Sequence, residues 1–221
     1  MFPESNSQAM QDIFVLAVLA KAHGTFIEIG GFHSRNLSNT FLLENAFRWD
    51  GLIVEIDKRL ADEISENRQS EVLNEDALKI NWGSVLRSRP ELRAVDYLQV
   101  DCEPSLTSLA ALVRVIWAGV RPTVITFEHD VYAGHTLMKI FHQGRFVRGV
   151  SRLIFRWLGY NLVAGDIMTQ TGKPFEDWYV LTRRIGIEIS PMHIGPWAPG
   201  DFLQSTGLSD SYLGFRERYS P

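Results

Sequence analysis

The chain has 221 residues, 45% of them hydrophobic and 22% charged, a composition that excludes a mainly disordered protein and suits one α/β domain. The formal net charge of −4 leaves no basic excess for nucleic-acid phosphates, so we expect no nucleic-acid partner. Cys102 is the only cysteine, which excludes an internal disulfide and a metal-binding cysteine cluster and favours a reducing compartment.

The N-terminal region predicts neither a signal peptide nor a membrane span. Residues 1–11 are polar and include Glu4, whereas a signal peptide begins with a basic segment. The apolar run at 13–20 is far shorter than the roughly 20 residues that a spanning helix needs. We therefore expect a soluble, cytoplasmic protein with no membrane partner.

The first half of the chain alternates between helical and strand-like patterns. Apolar spacing predicts a helix over 8–22, and the β-branched and aromatic run at 25–29 predicts a strand that ends in a Gly-Gly turn. The same signals then predict a helix at 40–47, a strand at 51–55, a charged surface helix at 58–67 and a short strand at 71–73.

The second half continues this alternation. A fourth strand is predicted at 95–101, followed by a helix from Pro104, because the missing N–H of proline costs nothing in a first helical turn. The predicted buried face of that helix is Leu106, Leu109, Ala110, Val113 and Ile116. The remaining predicted elements are a strand at 123–127, a helix at 147–158, and strands at 161–164 and 178–181.

These elements predict one α/β domain followed by a tail. Seven strands alternating with helices indicate a mostly parallel sheet covered by helices on both faces. We assign residues 1–183 to this domain, including its N-terminal helix. Residues 184–221 are rich in Pro and Gly and show no clear period, so we expect an irregular tail, either wrapped on the domain or forming a lid, that shapes acceptor access more than the fold.

Glycine and polar residues follow four of the predicted strands, at the sheet edge where open parallel sheets bind ligands. They are Gly30 and Gly31 after the first strand, Glu55 at the second, Asp101 and Glu103 at the fourth, and Glu128, His129 and Asp130 after the fifth. Taken singly, each has an ordinary structural explanation as a turn, a helix cap or a hydrogen-bonded histidine. Their shared position at one edge favours a ligand site.

The residues after the first strand favour S-adenosylmethionine over a phosphate-containing nucleotide. A dinucleotide fold uses G-x-G-x-x-G to seat a pyrophosphate, but residues 30–35 read GGFHSR. No G-x-x-x-x-G-K-[ST] motif occurs, which argues against a P-loop nucleotidase. S-adenosylmethionine has no phosphate, so a tight turn and an acid for the ribose suffice.

Six segments in order resemble the FkbM-like family of S-adenosylmethionine-dependent methyltransferases, over about 11–182. They are TFIEIGG at 25–31, SNT and LE within 38–44, WDGLIVE at 49–55, DYLQVDCEP at 96–104, FEHD at 127–130, and LGY and PFEDW within 158–178. One departure is Pro104, where many relatives have glycine. The resemblance implies a Rossmann-like class I methyltransferase fold with a mostly parallel seven-stranded sheet.

The resemblance also implies roles for individual residues. The cofactor-binding set it predicts is Glu28, Gly30, Gly31, Asn39, Glu55 and Asp76. Within that set, Glu28 and Gly30 would line the methionine end of the cofactor. Glu55 would hold the ribose, Asp76 would lie near the adenine, and Asp101 would face the methyl-transfer site.

The expected reaction, by the same resemblance, is O-methylation of a hydroxyl group on a sugar or secondary metabolite, so the partner is a small-molecule or glycan acceptor. A hydroxyl acceptor needs a base, and the candidates are His129, Asp101 and Glu103. Histidine is favoured because it titrates near neutral pH. A divalent metal held by Asp101, Glu103 and Asp130 is a less favoured alternative, since hard oxygen ligands suit Mg²⁺.

Two other functions stay open. A non-catalytic binding or scaffold protein could retain this fold, because a fold does not establish a function. An NAD-dependent oxidoreductase is the more distant alternative, because the dinucleotide glycines are missing.

Overall fold

The computed structural model describes residues 4–131, 143–185 and 193–219, which form a mixed β-sheet with helices on both faces. The strands are β1 (Thr25–Ile29), β2 (Asp50–Glu55), β3 (Glu71–Asn74), β4 (Tyr97–Val100), β5 (Val124–Glu128), β6 (Asn161–Met168), β7 (Pro174–Val180) and β8 (His193–Trp197). The α-helices are α1 (Gln11–Leu19), α2 (Phe41–Phe47), α3 (Lys58–Asn67), α4 (Trp82–Ser88), α5 (Ser105–Trp117), α6 (Gln143–Trp157), α7 (Pro199–Ser205) and α8 (Leu208–Tyr219). Within these ranges, no helix is both long enough and apolar enough to cross a membrane.

The strands lie in the order β3-β2-β1-β4-β5-β7-β6-β8. β7 runs antiparallel to both β5 and β6, and the other five pairings are parallel. The direction of winding reverses between β1 and β4, which opens a crevice at the carboxyl ends of these two strands. The mostly parallel sheet is thereby confirmed, with eight strands in the described part of the chain in place of the predicted seven.

The central strands send alternate side chains into two hydrophobic cores. On β1, Phe26 contributes to one core and Ile27 to the other. α1, α2, α3, α7 and α8 cover the Phe26 side, and α4, α5 and α6 cover the Ile27 side. Because the strands are buried on both faces, their sequences are nearly continuous apolar runs and do not alternate with polar residues.

Local signals set the boundaries of several elements. At the start of α3, the Asp57 side chain accepts hydrogen bonds from the backbone N–H groups of Arg59 (2.8 Å) and Leu60 (3.2 Å), which caps the helix. The predicted bounds 58–67 are confirmed. α1 is shorter than the predicted 8–22, because Met10 and Ala20 at its two ends adopt left-handed backbone angles.

The predicted buried face of α5 is largely wrong. Leu106 and Val113 are exposed, and the side that faces the sheet is formed by Ser105, Ser108, Ala111, Leu112, Val115 and Ile116. A serine is tolerated inside because the Ser108 hydroxyl accepts from the backbone N–H of Cys102 (2.7 Å) and donates to its carbonyl (2.9 Å). The spacing of apolar residues along α5 therefore predicts the wrong buried face for this helix.

The expectation of an irregular tail is also wrong for the residues described there, since β8, α7 and α8 are regular elements. Phe202 and Phe215 are fully buried, the first with its ring centroid 5.6 Å from that of Trp178 and the second 5.0 Å from that of Phe47. These aromatic residues complete the core that covers the Phe26 side of the sheet. Residues 186–192 and 220–221 of the predicted tail lie outside the described residues.

Candidate functional site

A cleft of about 410 Å³ opens at the carboxyl edge of the sheet, where the winding direction reverses. It is lined by the ends of β1 to β4 and the segments that follow them: Ile29, Gly30, Phe32, Val54, Glu55, Ile56, Leu60, Glu75, Asp76, Ala77, Asp101, Cys102, Glu103 and Thr107. Its volume lies within the usual range of small-molecule sites. Five of the predicted site residues line it, namely Gly30, Glu55, Asp76, Asp101 and Glu103.

Gly30 forms the floor of the cleft between β1 and β4. Its φ of 89° lies in the left-handed region, and a Cβ atom at this position would come 1.7 Å from the carbonyl oxygen of Asp101. Its N–H donates to the carbonyl of Val54 (2.9 Å), which ties the turn to β2. Only glycine fits here, because any Cβ would collide with the Asp101 backbone. Gly30 also lines the cleft, which it does with backbone atoms alone.

Glu55 is held in a fixed orientation at the end of β2. One carboxylate oxygen accepts a hydrogen bond from the N–H of Phe32 (2.9 Å), and the other accepts from the N–H of Asp57 (2.8 Å). Each oxygen keeps a further lone pair, since a carboxylate accepts about four hydrogen bonds. A pair of neighbouring hydroxyl groups in the cleft could therefore donate to Glu55 without any rearrangement.

Asp76 and several apolar side chains also line the cleft. Asp76 follows β3, and its side chain accepts from the N–H of Leu78 (2.9 Å). Ile56, Ala77 and Cys102 line the same cleft and were not among the predicted site residues. Their signal in the sequence is simple, because each directly follows a predicted site residue: Glu55 and Asp101 from the strand ends, and Asp76 from the family resemblance.

Carboxyl groups crowd the ends of β4 and β5. Burial raises the pKa of Asp101, and the charges of Asp130 and Glu103 raise it further, while a hydrogen bond with Glu128 opposes the rise. Burial and the adjacent Asp101 carboxyl raise the pKa of Glu128 well above its ordinary range. Glu128 therefore holds a proton under conditions in which exposed acids are ionised and can donate it in the hydrogen bond to Asp101, which stays a proton acceptor.

Glu28 and Asn39 do not line the cleft. The Glu28 carboxylate is 1% exposed and accepts hydrogen bonds from the Asn39 N–H (3.1 Å) and the Thr40 hydroxyl (2.5 Å). Burial raises the pKa of Glu28 to about 7, against the opposing charge of Arg68. These contacts brace the segment between β1 and α2. Glu28 and Asn39 therefore support the backbone beside the site and do not line the described cleft.

Gly31 also has a packing role. A Cβ atom on Gly31 would come 2.6 Å from Ile53 and 2.9 Å from Ile64, so the glycine allows α3 to lie close to β1. The residue is buried and lies beside the cleft without lining it.

His129 lies in a buried network of charged groups outside the cleft lining. Its side chain is 0% exposed, and its Nε2 is 3.4 Å from Asp177 and 3.8 Å from Asp166. Arg152 donates two 2.7 Å hydrogen bonds to Asp177, and Arg148 donates one of 2.7 Å to Asp166. The expected convergence of His129 and Asp101 on one acceptor is therefore not observed among the described residues.

The same network contains the one described group with metal-ligand spacing. One ligand atom each from His129, Asp166 and Asp177 lie within 4.8 Å of one another. Asp177 already accepts from Arg152, from the backbone N–H of Asp166 (2.9 Å) and from the Tyr179 hydroxyl (3.0 Å). Guanidinium groups thus supply the positive charge that a metal would bring, and the group is better described as a structural ion-pair network.

No protein-family model matches the sequence, and no curated protein matches it either. Solved structures do share its fold. An O-methyltransferase from Bacillus cereus, solved in complex with SAH (S-adenosylhomocysteine), is similar at 17% identity, with a TM-score of 0.57, over 81% of this chain and 83% of that one. A Klebsiella pneumoniae protein classed as an O-methyltransferase is similar at 17% identity, with a TM-score of 0.55, over 80% and 82%.

A third structure, a Clostridium thermocellum protein classed as an rRNA methylase, has 10% identity and a TM-score of 0.53, over 80% of this chain and 96% of that one. At such low identities the likeness establishes architecture, and function has to be argued from the site. The resemblance to the FkbM-like family in particular stays a prediction. The architecture itself is settled: the chain has the Rossmann-like fold of class I methyltransferases.

Proposed function

We propose that the protein is an S-adenosylmethionine-dependent methyltransferase that methylates a hydroxyl group on a small-molecule or glycan acceptor. The observation that carries this proposal is the pairing of Gly30 and Glu55 in one cleft. The first presents bare backbone beside Asp101, and the second presents a carboxylate already oriented by two N–H donors. The SAH-bound O-methyltransferase of the same fold supports this choice of ligand.

The residues of the cleft fit S-adenosylmethionine in three respects. Glu55 can accept hydrogen bonds from both ribose hydroxyls. Ile56, Ala77 and Cys102 offer an apolar environment for a purine, and Asp76 can accept from its exocyclic amine. Gly30 lines the cleft with backbone and no side chain, which suits close approach by the amino-acid end of the ligand. The cleft lacks the glycine-rich turn that a pyrophosphate requires.

When bound, S-adenosylmethionine supplies a methyl group on a positively charged sulfur, which leaves as a thioether when the acceptor oxygen takes the methyl. The chain's own task is to hold the acceptor oxygen in line, a contribution of roughly 7–11 kcal/mol to such reactions. The protein must also accept the hydroxyl proton, and such general-base catalysis raises the rate by about 10²–10⁴-fold. Asp101 and Glu103 line the cleft and are the bases we assign, with Asp101 favoured by its raised pKa.

Calorimetric titration with S-adenosylhomocysteine tests the donor, and NAD⁺ provides the matched comparison. We expect binding of the first and none of the second, since only NAD⁺ carries a pyrophosphate. A screen of sugar and secondary-metabolite hydroxyls then tests turnover through the release of S-adenosylhomocysteine. Repeating the assay after chelation, with and without added Mg²⁺, tests the metal alternative. A protein that bound NAD⁺ and not S-adenosylhomocysteine would refute the proposal.

A non-catalytic binding protein is the second candidate, favoured by one observation. Among the described residues, the cleft contains no histidine, because His129 lies in the ion-pair network. This candidate predicts that the protein binds S-adenosylhomocysteine and shows no turnover on any hydroxyl acceptor. A single accepted substrate would exclude it.

A further inference from the structure

The outer surfaces of α5 and α6 carry large apolar side chains that remain exposed in the described structure. They are Leu106, Val113 and Trp117 on α5, and Phe146, Leu153 and Trp157 on α6. The two tryptophans are the most exposed, at 88% for Trp117 and 85% for Trp157. Single exposed apolar residues are ordinary, but a group of six, including two nearly free indoles, indicates a binding surface.

These six side chains form one surface, which we call the α5–α6 face. In each helix they are spaced by seven and then four residues, so they lie in one row along the helix. On both helices this row lies opposite the residues that face the sheet, such as Val115 on α5 and Phe155 on α6. The two helices pack side by side on the same face of the sheet, so the rows run next to each other and point outward.

Positive charge surrounds the α5–α6 face. Arg114 on α5 and Arg145 and Arg156 on α6 are exposed, and none has a carboxylate partner among the described residues. Neither helix contains an Asp or Glu, and the sequence over 131–165 has five basic residues and no acidic one. A chain with a net charge of −4 therefore concentrates uncompensated positive charge beside its most exposed aromatic residues.

We propose that the α5–α6 face docks the protein on the surface of an anionic lipid bilayer. Trp, Phe and Leu side chains on one side of a helix, bordered by arginines, are typical of helices that lie in the membrane interface. The arginines would interact with negatively charged headgroups, each contributing attraction near the surface. The expectation of no membrane partner rested on the lack of a spanning segment, which surface docking does not require.

A second copy of this chain fits the face less well. Helices of 13 and 15 residues are about 20 Å long, and each is about 10 Å wide, so two helices side by side cover roughly 400 Å². A stable protein interface needs about 800 Å² on each partner. The face also has no acidic residue to pair with the arginines of a symmetry-related copy. A bilayer requires neither a larger footprint nor shape complementarity.

Vesicle co-sedimentation tests the proposal without any methyl donor or acceptor, so its outcome is independent of the proposed enzymatic function. The probes are phosphatidylcholine vesicles with and without about one-third phosphatidylserine. We expect binding only to the anionic vesicles, and we expect it to weaken as salt screens the charges. The W117Q/W157Q variant should lose most of the binding, and R145Q/R156Q should weaken it by about fivefold for each charge removed.

Matched controls come from α8, which covers the opposite side of the sheet. L213Q and R218Q change an exposed apolar and an exposed basic residue there, so both should bind vesicles as the wild type does. All variants change exposed positions, and an unchanged thermal midpoint verifies that each is folded.

Equal binding to neutral and anionic vesicles, or no binding to either, would overturn the proposal. So would equal losses in the α8 controls. Analytical ultracentrifugation adds a further test: a dimer that W117Q/W157Q converts to monomer would show that a second copy covers this face instead. Salt-sensitive binding of RNA without binding of lipid would likewise show that the partner of this face is a nucleic acid and not a bilayer.

Discussion

Gly30 and Asp101 approach so closely that a Cβ atom on residue 30 would lie 1.7 Å from the carbonyl oxygen of Asp101. The backbone of Gly30 also has a φ of 89°, which side-chain-bearing residues rarely adopt. We expect Gly30→Ala to lower the free energy of unfolding by about 3 kcal/mol or more, because β1 and β4 would have to separate at the cleft. Chemical denaturation measures this change.

Gly172→Ala provides the matched control for that measurement. Gly172 has a φ of 74°, and a Cβ atom there would meet nothing within 4 Å. Its replacement should cost only the conformational penalty of about 1–2 kcal/mol. Equal losses in the free energy of unfolding for the two variants would show that the contact between residue 30 and Asp101 relaxes easily.

Glu55→Gln should weaken binding of S-adenosylhomocysteine by about 1.5–3 kcal/mol, because a charged hydrogen-bond acceptor for the ribose becomes neutral. Glutamine keeps the size of the side chain and one acceptor oxygen, so the contact to either Phe32 or Asp57 can persist. Glu66→Gln, an exposed acid on α3, serves as the control and should bind as the wild type does. Calorimetry measures the affinity of both variants for S-adenosylhomocysteine. An unchanged dissociation constant for Glu55→Gln would show that Glu55 does not bind the ribose.

His129→Ala should lower the free energy of unfolding by about 1–3 kcal/mol, because it leaves a cavity beside Asp177 in the buried network. Donor affinity and turnover should stay within a few-fold of wild type, because His129 does not line the described cleft. Asp101→Asn should instead reduce turnover by about 10²–10⁴-fold. A large loss of turnover in His129→Ala without loss of stability would restore histidine as the base.

Phe215→Ala should cost about 3–5 kcal/mol of stability, because the ring is fully buried against Phe47. Leu213→Ala changes the same helix at a position that is 42% exposed and should cost less than about 1 kcal/mol. Equal, small costs in urea denaturation would mean that α8 contributes little to the core. The same contacts predict that removal of residues 184–221 prevents stable folding.

Stability should fall as the pH rises from about 5 to 8, in part because of Glu176. Burial, assisted by the charges of Asp101 and Asp177, raises its pKa from 4.5 to about 8. In this window the folded protein holds a proton that the unfolded chain has lost, so raising the pH favours unfolding. The glutamine in Glu176→Gln cannot titrate, so the thermal midpoint of this variant should fall less steeply as the pH rises. The Glu66→Gln control should show the same pH dependence as the wild type. Identical slopes in all three proteins would contradict the assignment.

The order of strands β1 to β7, and the edge of the sheet that forms the cleft, follow from the sequence by itself. Hydrophobic period, capping residues and glycine turns are local properties, which is why β1 and α3 have the predicted bounds. Residues that directly follow parallel strands share one edge of the sheet, which predicts that Glu55 and Asp101 lie together, and both line the cleft. Asp76, which only the family resemblance indicates, lines it too.

Only the tertiary structure decided which face of α5 is buried, whether the C-terminal residues join the core, and where His129 points. Each depends on residues distant in the chain: Ala111 and Val115 on α5 pack in one core with Ile27 of β1, Phe215 packs against Phe47, and His129 lies near Asp177. A local pattern records that a residue is apolar or titratable. The direction in which its side chain is buried is set by the free energy of packing against partners that the pattern does not contain.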